Sequence, residues 1–330
     1  MEKILPMVIP PVETYQNTSF VMGMILASNN MKNAFYNYYN NIVCTETNYM
    51  KKIELIFVDA LWDTLVDDGL AEMDLFHLSN ISKDKFVSFI KERIDQGNYL
   101  LLYSIDEYYL SYSKRYQVKH YIHDTYIYGY KEDKLCVMAQ KKGKLQMLEI
   151  DCQEIVDGMY SQLEKNPCVN FCSFRFRNVV ALINKEKIKS DLERYLLGKT
   201  KISENQVFGI AVYQIIKKCS LARAEGRKEE GDLFDLRIFR MIWEHKKVMM
   251  LHLDRMNELY QYQLADCLIK MDEIEHLANK IFLLAMKFTV TKKNDLLIKI
   301  AENIQVLEMK EKECFKELVE QLENYGGKND

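Results

Sequence analysis

The chain has 330 residues, of which 48% are hydrophobic and 28% are charged, so it carries enough apolar side chains for a buried core. Lys and Arg number 45 against 48 Asp and Glu, and this near balance gives no electrostatic reason to expect nucleic acid or a membrane surface as partner. The composition excludes a wholly disordered chain, and the length predicts about two domains.

The eight cysteines are scattered along the chain and do not form the pattern of a disulfide framework. The N-terminal apolar run is interrupted by Pro6, Pro10 and Pro11, which is unlike a secretory signal. We therefore expect reduced thiols, a cytoplasmic location and no membrane span. Cys168 and Cys172 are the one close pair, and because no second pair lies at zinc-finger spacing we predict no metal.

The first half of the chain alternates predicted helices and strands. A helix is predicted over 16–28, and a second begins after Ser82 and ends at Gly97, which is followed by an apolar strand over 99–105. Three further strands separated by polar turns then predict an antiparallel meander between 121 and 150. A helix over about 152–164, an extended segment over 166–178 and a helix that ends at Gly198 complete this half.

The second half has no proline after position 167, and beyond 203 its apolar residues recur at helical spacing throughout. Two stripes, one from Ile274 to Phe288 and one from Leu296 to Leu322, predict long antiparallel helices. The predicted fold class is α+β. The predicted divisions are a mixed domain over 1–165, a transition segment over 166–202 and a helical domain over 203–330.

Two histidines stand three residues apart at the start of a predicted strand. His120 and His123 are followed by Gly129, six residues after the second histidine. Residues three apart on a strand point to opposite faces, so we expect one histidine to enter a cleft while the other points away. A regular strand therefore does not place both on one metal ion.

Three blocks of sequence resemble the butirosin biosynthesis H-like family. They are IDEYYL at 105–110, KHYIHDTYIYGY at 119–130 with the hairpin that follows, and DLRIFRMIWEHKKVMM at 235–250. The resemblance implies a papain-like or C39-like cysteine-peptidase fold in the N-terminal domain. It also implies transfer of an acyl or aminoacyl group from a carrier-protein thioester to an amine, beside a nonribosomal peptide synthetase module.

The resemblance further implies where the catalytic groups lie. A cysteine should begin the first long helix, a histidine about six residues before a strand-ending glycine should act as base, and an Asp or Asn on the next strand should orient that histidine. The role of base selects His123, with His120 as the second candidate. The role of orienting residue selects a position near Ala139. The helix over 16–28 has no cysteine, however, and Ala139 has no polar side chain, so two of the three roles are vacant.

Other residues are candidates for the vacant nucleophile and for substrate binding. Thr18 or Ser19 would be a hydroxyl nucleophile if His123 reaches it, and Cys44 would require a different alignment of the first helix. We expect Asp106 to contact a substrate amine while Tyr109 packs on that amine, with His120 in the same cleft. The EHKK segment at 244–247 is interpreted as a solvated helix face or as a contact for phosphopantetheine.

These features favour an accessory protein of natural-product biosynthesis that lacks the usual cysteine chemistry. It would bind a carrier-linked acyl chain or a partner enzyme, with the phosphopantetheine arm of the carrier as the one cofactor-like group. The alternative is an active acyltransferase or amide synthase in which His123 is the general base and a small amine attacks the thioester directly.

Overall fold

A computed structural model describes residues 2–47, 52–58, 62–163, 166, 168–198, 206–227, 234–259 and 264–324. The described chain is a mixed α+β protein with a helical C-terminal region, as the sequence predicts. Its strands are β1 (Glu2–Ile4), β2 (Ile42–Thr47), β3 (Lys52–Phe57), β4 (Ala71–His77), β5 (Tyr99–Asp106), β6 (Ile122–Lys131), β7 (Lys134–Lys141), β8 (Lys144–Asp151), β9 (Asn170–Phe176) and β10 (Gln206–Phe208). Its α-helices are α1 (Gln16–Ala27), α2 (Ala34–Asn37), α3 (Trp62–Asp67), α4 (Phe86–Asp95), α5 (Cys152–Leu163), α6 (Lys185–Leu197), α7 (Val212–Ala224), α8 (Leu236–Leu259), α9 (Ala265–Thr291) and α10 (Asp295–Asn324).

The chain divides into two compact units, and each is built from two separate stretches. Unit 1 comprises 1–33 and 60–181, and unit 2 comprises 34–59 and 182–330. This division differs from the continuous boundaries at 165 and 202, because β2 pairs with both β3 and the distant β10. The region beyond 203, expected to be helical throughout, therefore also contributes a strand.

Unit 1 is built on an antiparallel sheet with strand order β4-β9-β5-β6-β7-β8, and β1 pairs with the end of β6. The predicted meander is confirmed as β6, β7 and β8. Its second turn holds Lys142 at φ 52° and Gly143 at φ 77°, the two left-handed residues that a tight hairpin requires.

The two faces of this sheet carry different helices. On one face the ring of Phe20 from α1 stacks on Tyr126 of β6, with ring centroids 4.8 Å apart. On the other face α5 lies so close that a Cβ added to Gly158 would be 2.7 Å from the Cγ1 atom of Ile105. Ile105 pairs directly with His123, and paired residues share a face, so His123 belongs to the face that α5 covers.

Unit 2 combines the three-stranded sheet β10-β2-β3 with the long C-terminal helices. Helix α9 packs against both α8 and α10, and α10 also packs against α6 and α7. The predicted stripe on α10 is confirmed, because Ile300, Ile304, Leu307, Leu318 and Leu322 are all buried. Among the helices of the described ranges, none is long and apolar enough to cross a membrane.

The segment 244–247 is not the solvated helix face that the sequence predicted. Glu244, His245 and Lys246 are each at most 1% exposed on α8. The prediction is wrong because their charges and polar atoms are satisfied inside unit 2, where Arg240 donates to Glu244 at 2.8 Å and Lys246 pairs with Glu311 of α10.

A buried network surrounds this Lys246–Glu311 ion pair. The hydroxyls of Tyr195 and Tyr213 donate to Oε2 of Glu311 at 3.0 and 2.5 Å. The ammonium of Lys246 also lies 2.7 Å from Nδ1 of His245. Burial lowers the pKa of Lys246, whereas the Glu311 charge acts in the opposite direction and favours the ammonium form.

Replacing Lys246 by Met should lower the free energy of unfolding of the protein by about 3–5 kcal/mol, because Glu311 would remain as a buried carboxylate without its cation. Urea denaturation followed by circular dichroism measures the change. Lys312→Met on the exposed side of α10 is the matched control and should leave the unfolding free energy nearly unchanged. A Lys246→Met protein as stable as the control would contradict the role given to this pair.

Two buried histidines make the stability of unit 2 sensitive to acid. Nδ1 of His252 lies 2.9 Å from Oδ1 of Asn40, and its Nε2 has no hydrogen-bond partner among the described residues. Burial lowers the pKa of His252 from 6.5 to about 3. Burial, and then the charge of Lys246, also lower the pKa of His245.

The unfolded chain therefore takes up protons on these histidines below pH 6.5, while the folded chain does not. We expect their contribution to the unfolding free energy to be complete above that pH and to be lost towards pH 3, at up to about 1.4 kcal/mol per pH unit for each histidine. Urea denaturation at a series of pH values measures the slope. His252→Gln should reduce the slope and the exposed-site control His276→Gln should not; equal slopes in His252→Gln and the parent protein would refute the assignment.

Candidate functional site

The segment that connects β5 to β6 contributes residues to two pockets of unit 1. Each pocket also takes residues from a second part of unit 1. We call the first the dyad pocket; it has a volume of about 760 Å³ and is lined by Tyr109, His120, Asp157 and neighbouring residues of α5. We call the second the lysine pocket; it has a volume of about 610 Å³ and includes Glu107, His123 and the β7–β8 turn.

The carboxylate of Asp106 lies at the end of β5 and is completely buried. Its Oδ1 accepts hydrogen bonds from the backbone N–H groups of Tyr108 and Tyr121, each at 3.1 Å. Its Oδ2 accepts from Nδ1 of His120 at 2.6 Å and from Nε2 of Gln162 at 3.2 Å. Four donors therefore fix this carboxylate, and each of its oxygens has a defined role.

The imidazole of His120 is held on two sides. Asp106 accepts the proton of Nδ1, and the ring stacks on Tyr108 with centroids 4.3 Å apart. The side chain is still 56% exposed and lines the dyad pocket. Because Nδ1 carries the proton, Nε2 presents its lone pair, which is the arrangement of a general base.

His123 has a looser carboxylate partner. Its Nδ1 lies 3.5 Å from Oε1 of Glu107, which is an ion-pair distance and too long for a strong hydrogen bond. Glu107 is also shared, because its Oε2 accepts from Arg115 at 2.9 Å and from Ser113 at 2.8 Å. The adjacent acids Asp106 and Glu107 thus each face one histidine, and the better oriented imidazole is that of His120.

The structure does not bring His123 to Thr18 or Ser19. The hydroxyl of Ser19 is fully buried and donates to the carbonyl oxygen of Tyr15 at 2.8 Å, and Thr18 is 2% exposed. Helix α1 covers the sheet face of Tyr126, whereas His123 belongs to the opposite face. Neither hydroxyl lines the dyad pocket or the lysine pocket.

The other predicted site residues have mixed outcomes. Tyr109 and His120 do line one pocket together. The sequence predicted that Asp106 contacts a substrate amine; its carboxylate is instead completely buried and accepts a hydrogen bond from His120. Ala139 is fully buried and supplies no polar atom, and Cys44 is a buried thiol of β2 in unit 2.

Sequence reasoning missed the contacts of three side chains at the site, those of Gln162, Glu107 and Tyr108. Gln162 is 56 residues from Asp106 along the chain, and no local pattern joins them. The sequence assigned no separate role to Glu107 or Tyr108, whose side chains face His123 and His120. On the α1 face of β6, Asp124 is partly buried, and this burial raises its pKa.

Comparisons with known proteins add no assignment. No protein family matches the chain, and no curated protein is significantly similar to it. Among the side chains that the structure describes, no three His, Cys, Asp or Glu residues are grouped as metal ligands.

Replacing Asp106 by Asn should reverse the tautomer of His120. The backbone N–H groups of Tyr108 and Tyr121 require an acceptor at Oδ1, so the Asn amide nitrogen would replace Oδ2 and face Nδ1 of His120. Nitrogen-15 NMR should show an Nδ1–H imidazole in the parent protein and an Nε2–H imidazole in the variant. The matched control Asp157→Asn, in the same pocket, should keep Nδ1–H; an unchanged tautomer in Asp106→Asn would contradict the arrangement.

Proposed function

We propose that the dyad pocket is the active site of an acyltransferase in which His120 acts as general base for the attack of an amine on an acyl thioester. The observation that supports this proposal is the buried Asp106 carboxylate, which holds Nδ1 of His120 and leaves Nε2 available at an open pocket. Asp106 would be a positioning residue, because it acts through the imidazole.

The proposed step needs no nucleophile from the protein. The amine nitrogen forms a bond to the thioester carbonyl carbon, and Nε2 of His120 takes the proton that the nitrogen loses. The carbon–sulfur bond then breaks, and the imidazolium returns that proton to the departing sulfur. The products are an amide and a thiol, and the acid and base are the same side chain. This route fits a first helix without cysteine and with Ser19 buried.

The lining of the dyad pocket suits a mainly uncharged substrate. Tyr109, Tyr160 and Leu163 supply apolar surface for an acyl chain. The one carboxylate of the lining, Asp157, is paired with Lys83 at 2.8 Å, so the charges of the pocket balance. The hydroxyl of Tyr160 donates to the carbonyl oxygen of Ile81 at 2.6 Å, and burial raises its pKa to about 12.

The substrate class comes from the sequence resemblance. The blocks at 105–110, 119–130 and 235–250 support a thioester on an acyl or peptidyl carrier protein as donor and a small amine as acceptor, within natural-product biosynthesis. A papain-like fold for unit 1 stays part of the proposal. It is supported by the N-terminal helix α1 packed on an antiparallel sheet. The proposed base, however, is His120, which lies in the segment before β6 and shares a pocket with residues of α5, the helix on the sheet face opposite α1.

The test is to incubate the protein with acyl-carrier thioesters and a panel of amines and to detect the amide product by mass spectrometry. We expect His120→Ala to lower kcat by about 10²–10⁴-fold, which is the usual contribution of a general base. Asp106→Asn should lower kcat by at least about tenfold through the wrong tautomer. In contrast, His123→Ala and Ser19→Ala should retain most of the activity.

Other results identify the competing functions. A larger loss in His123→Ala than in His120→Ala would favour His123 as base and overturn the proposal. A trapped acyl-enzyme that disappears in Ser19→Ala would show covalent catalysis by the first helix. Tight carrier binding without turnover in any form would indicate the accessory binding protein that the missing cysteine also suggests.

A further inference from the structure

The lysine pocket carries positive charge that the protein does not neutralise. Its lining includes Lys114, Arg115, Lys141 and Lys142 against one carboxylate, that of Glu107. Glu107 is already paired with Arg115 at 2.9 Å. In the ranges that the structure describes, none of the three lysines has a carboxylate within 4.0 Å. The lining thus has an excess of three positive charges in a chain whose net charge is −3.

The lysines reach this pocket from two separate elements. Lys114 lies in the segment between β5 and β6, and Lys141 and Lys142 lie at the turn between β7 and β8. The positive φ values of Lys142 and Gly143 fix that turn. Like charges around one cavity repel each other, and an anion bound there would relieve that repulsion.

The dyad pocket gives an internal comparison. Its one lysine, Lys83, is neutralised by Asp157 at 2.8 Å. The two pockets receive residues from the same connecting segment, yet one is electrically balanced and the other is not. The excess charge is therefore specific to the lysine pocket.

We propose that the lysine pocket binds the phosphate group of a small ligand. A phosphate carries more charge than a carboxylate and can accept from several ammonium groups at once, which matches a lining with three lysines. The nearby hydroxyls of Ser111 and Ser113 already donate to Glu154 and Glu107, so among the described residues the three lysines are the unpaired cations of the lining that can meet an anion. A cavity of about 610 Å³ has room for a group attached to the phosphate. This proposal does not depend on the general base at His120.

Isothermal titration calorimetry at low salt tests the proposal with three probes: pyrophosphate, AMP and adenosine. Pyrophosphate and AMP should bind, more weakly as salt is added, and adenosine should not bind. The triple variant Lys114→Glu, Lys141→Glu and Lys142→Glu should weaken binding of pyrophosphate and AMP at least tenfold. The control triple variant Lys32→Glu, Lys85→Glu and Lys312→Glu has the same net charge at exposed positions and should bind like the parent protein.

Some outcomes of this titration identify the kind of phosphate ligand, and others overturn the proposal. Binding of pyrophosphate alone supports a free phosphate ligand, and binding of AMP supports a phosphate on a larger molecule. Equal binding of AMP and adenosine, equal losses in the two triple variants, or no binding below about 10 mM would overturn it. If circular dichroism shows that the triple variant is unfolded, Lys142→Glu at the exposed turn replaces it and should weaken binding severalfold.

Discussion

The buried carboxylate of Asp106 organises the candidate site. A carboxylate without water must have its lone pairs filled, and here two backbone N–H groups, one amide and one imidazole fill them. Those four donors come from the turn after β5, from the residues before β6 and from α5. The same bonds therefore fix the orientation of His120 and the course of the segment that connects β5 to β6. Both pockets are lined in part by that segment.

The alternation of side chains along β6 is the second constraint on chemistry. Tyr126 contacts α1, so a residue three positions away must face the other side of the sheet. This parity separates His123 from the first helix regardless of how that helix is placed on its own face. For His123 to face the first helix, β6 would need one extra residue, or another odd number of residues, between His123 and Tyr126.

Much of the secondary structure could be predicted from local sequence. Gly97 and Gly198 end helices with positive φ, and the polar turns of the meander lie where the sequence indicated. The charge states of the interior could not be predicted in this way. Lys246 lies in a run of four polar residues that is typical of exposed surface, and Asp106 begins an acidic pair just after an apolar strand; their partners Glu311 and Gln162 are far away along the chain. Local patterns report which residues favour water, whereas tertiary partners decide which polar groups are buried.

The pairing of β2 with β10 sets an order for synthesis on the ribosome. Thr45 is made early, but its partner Gln206 is made only after all of unit 1. Until then β2 and β3 form a two-stranded hairpin with an unpaired edge, which is a marginal structure in water. All the described strands of unit 1 are synthesised before β10. The chain of unit 1 is therefore complete before β10 is synthesised, whereas the three-stranded sheet of unit 2 can close only afterwards.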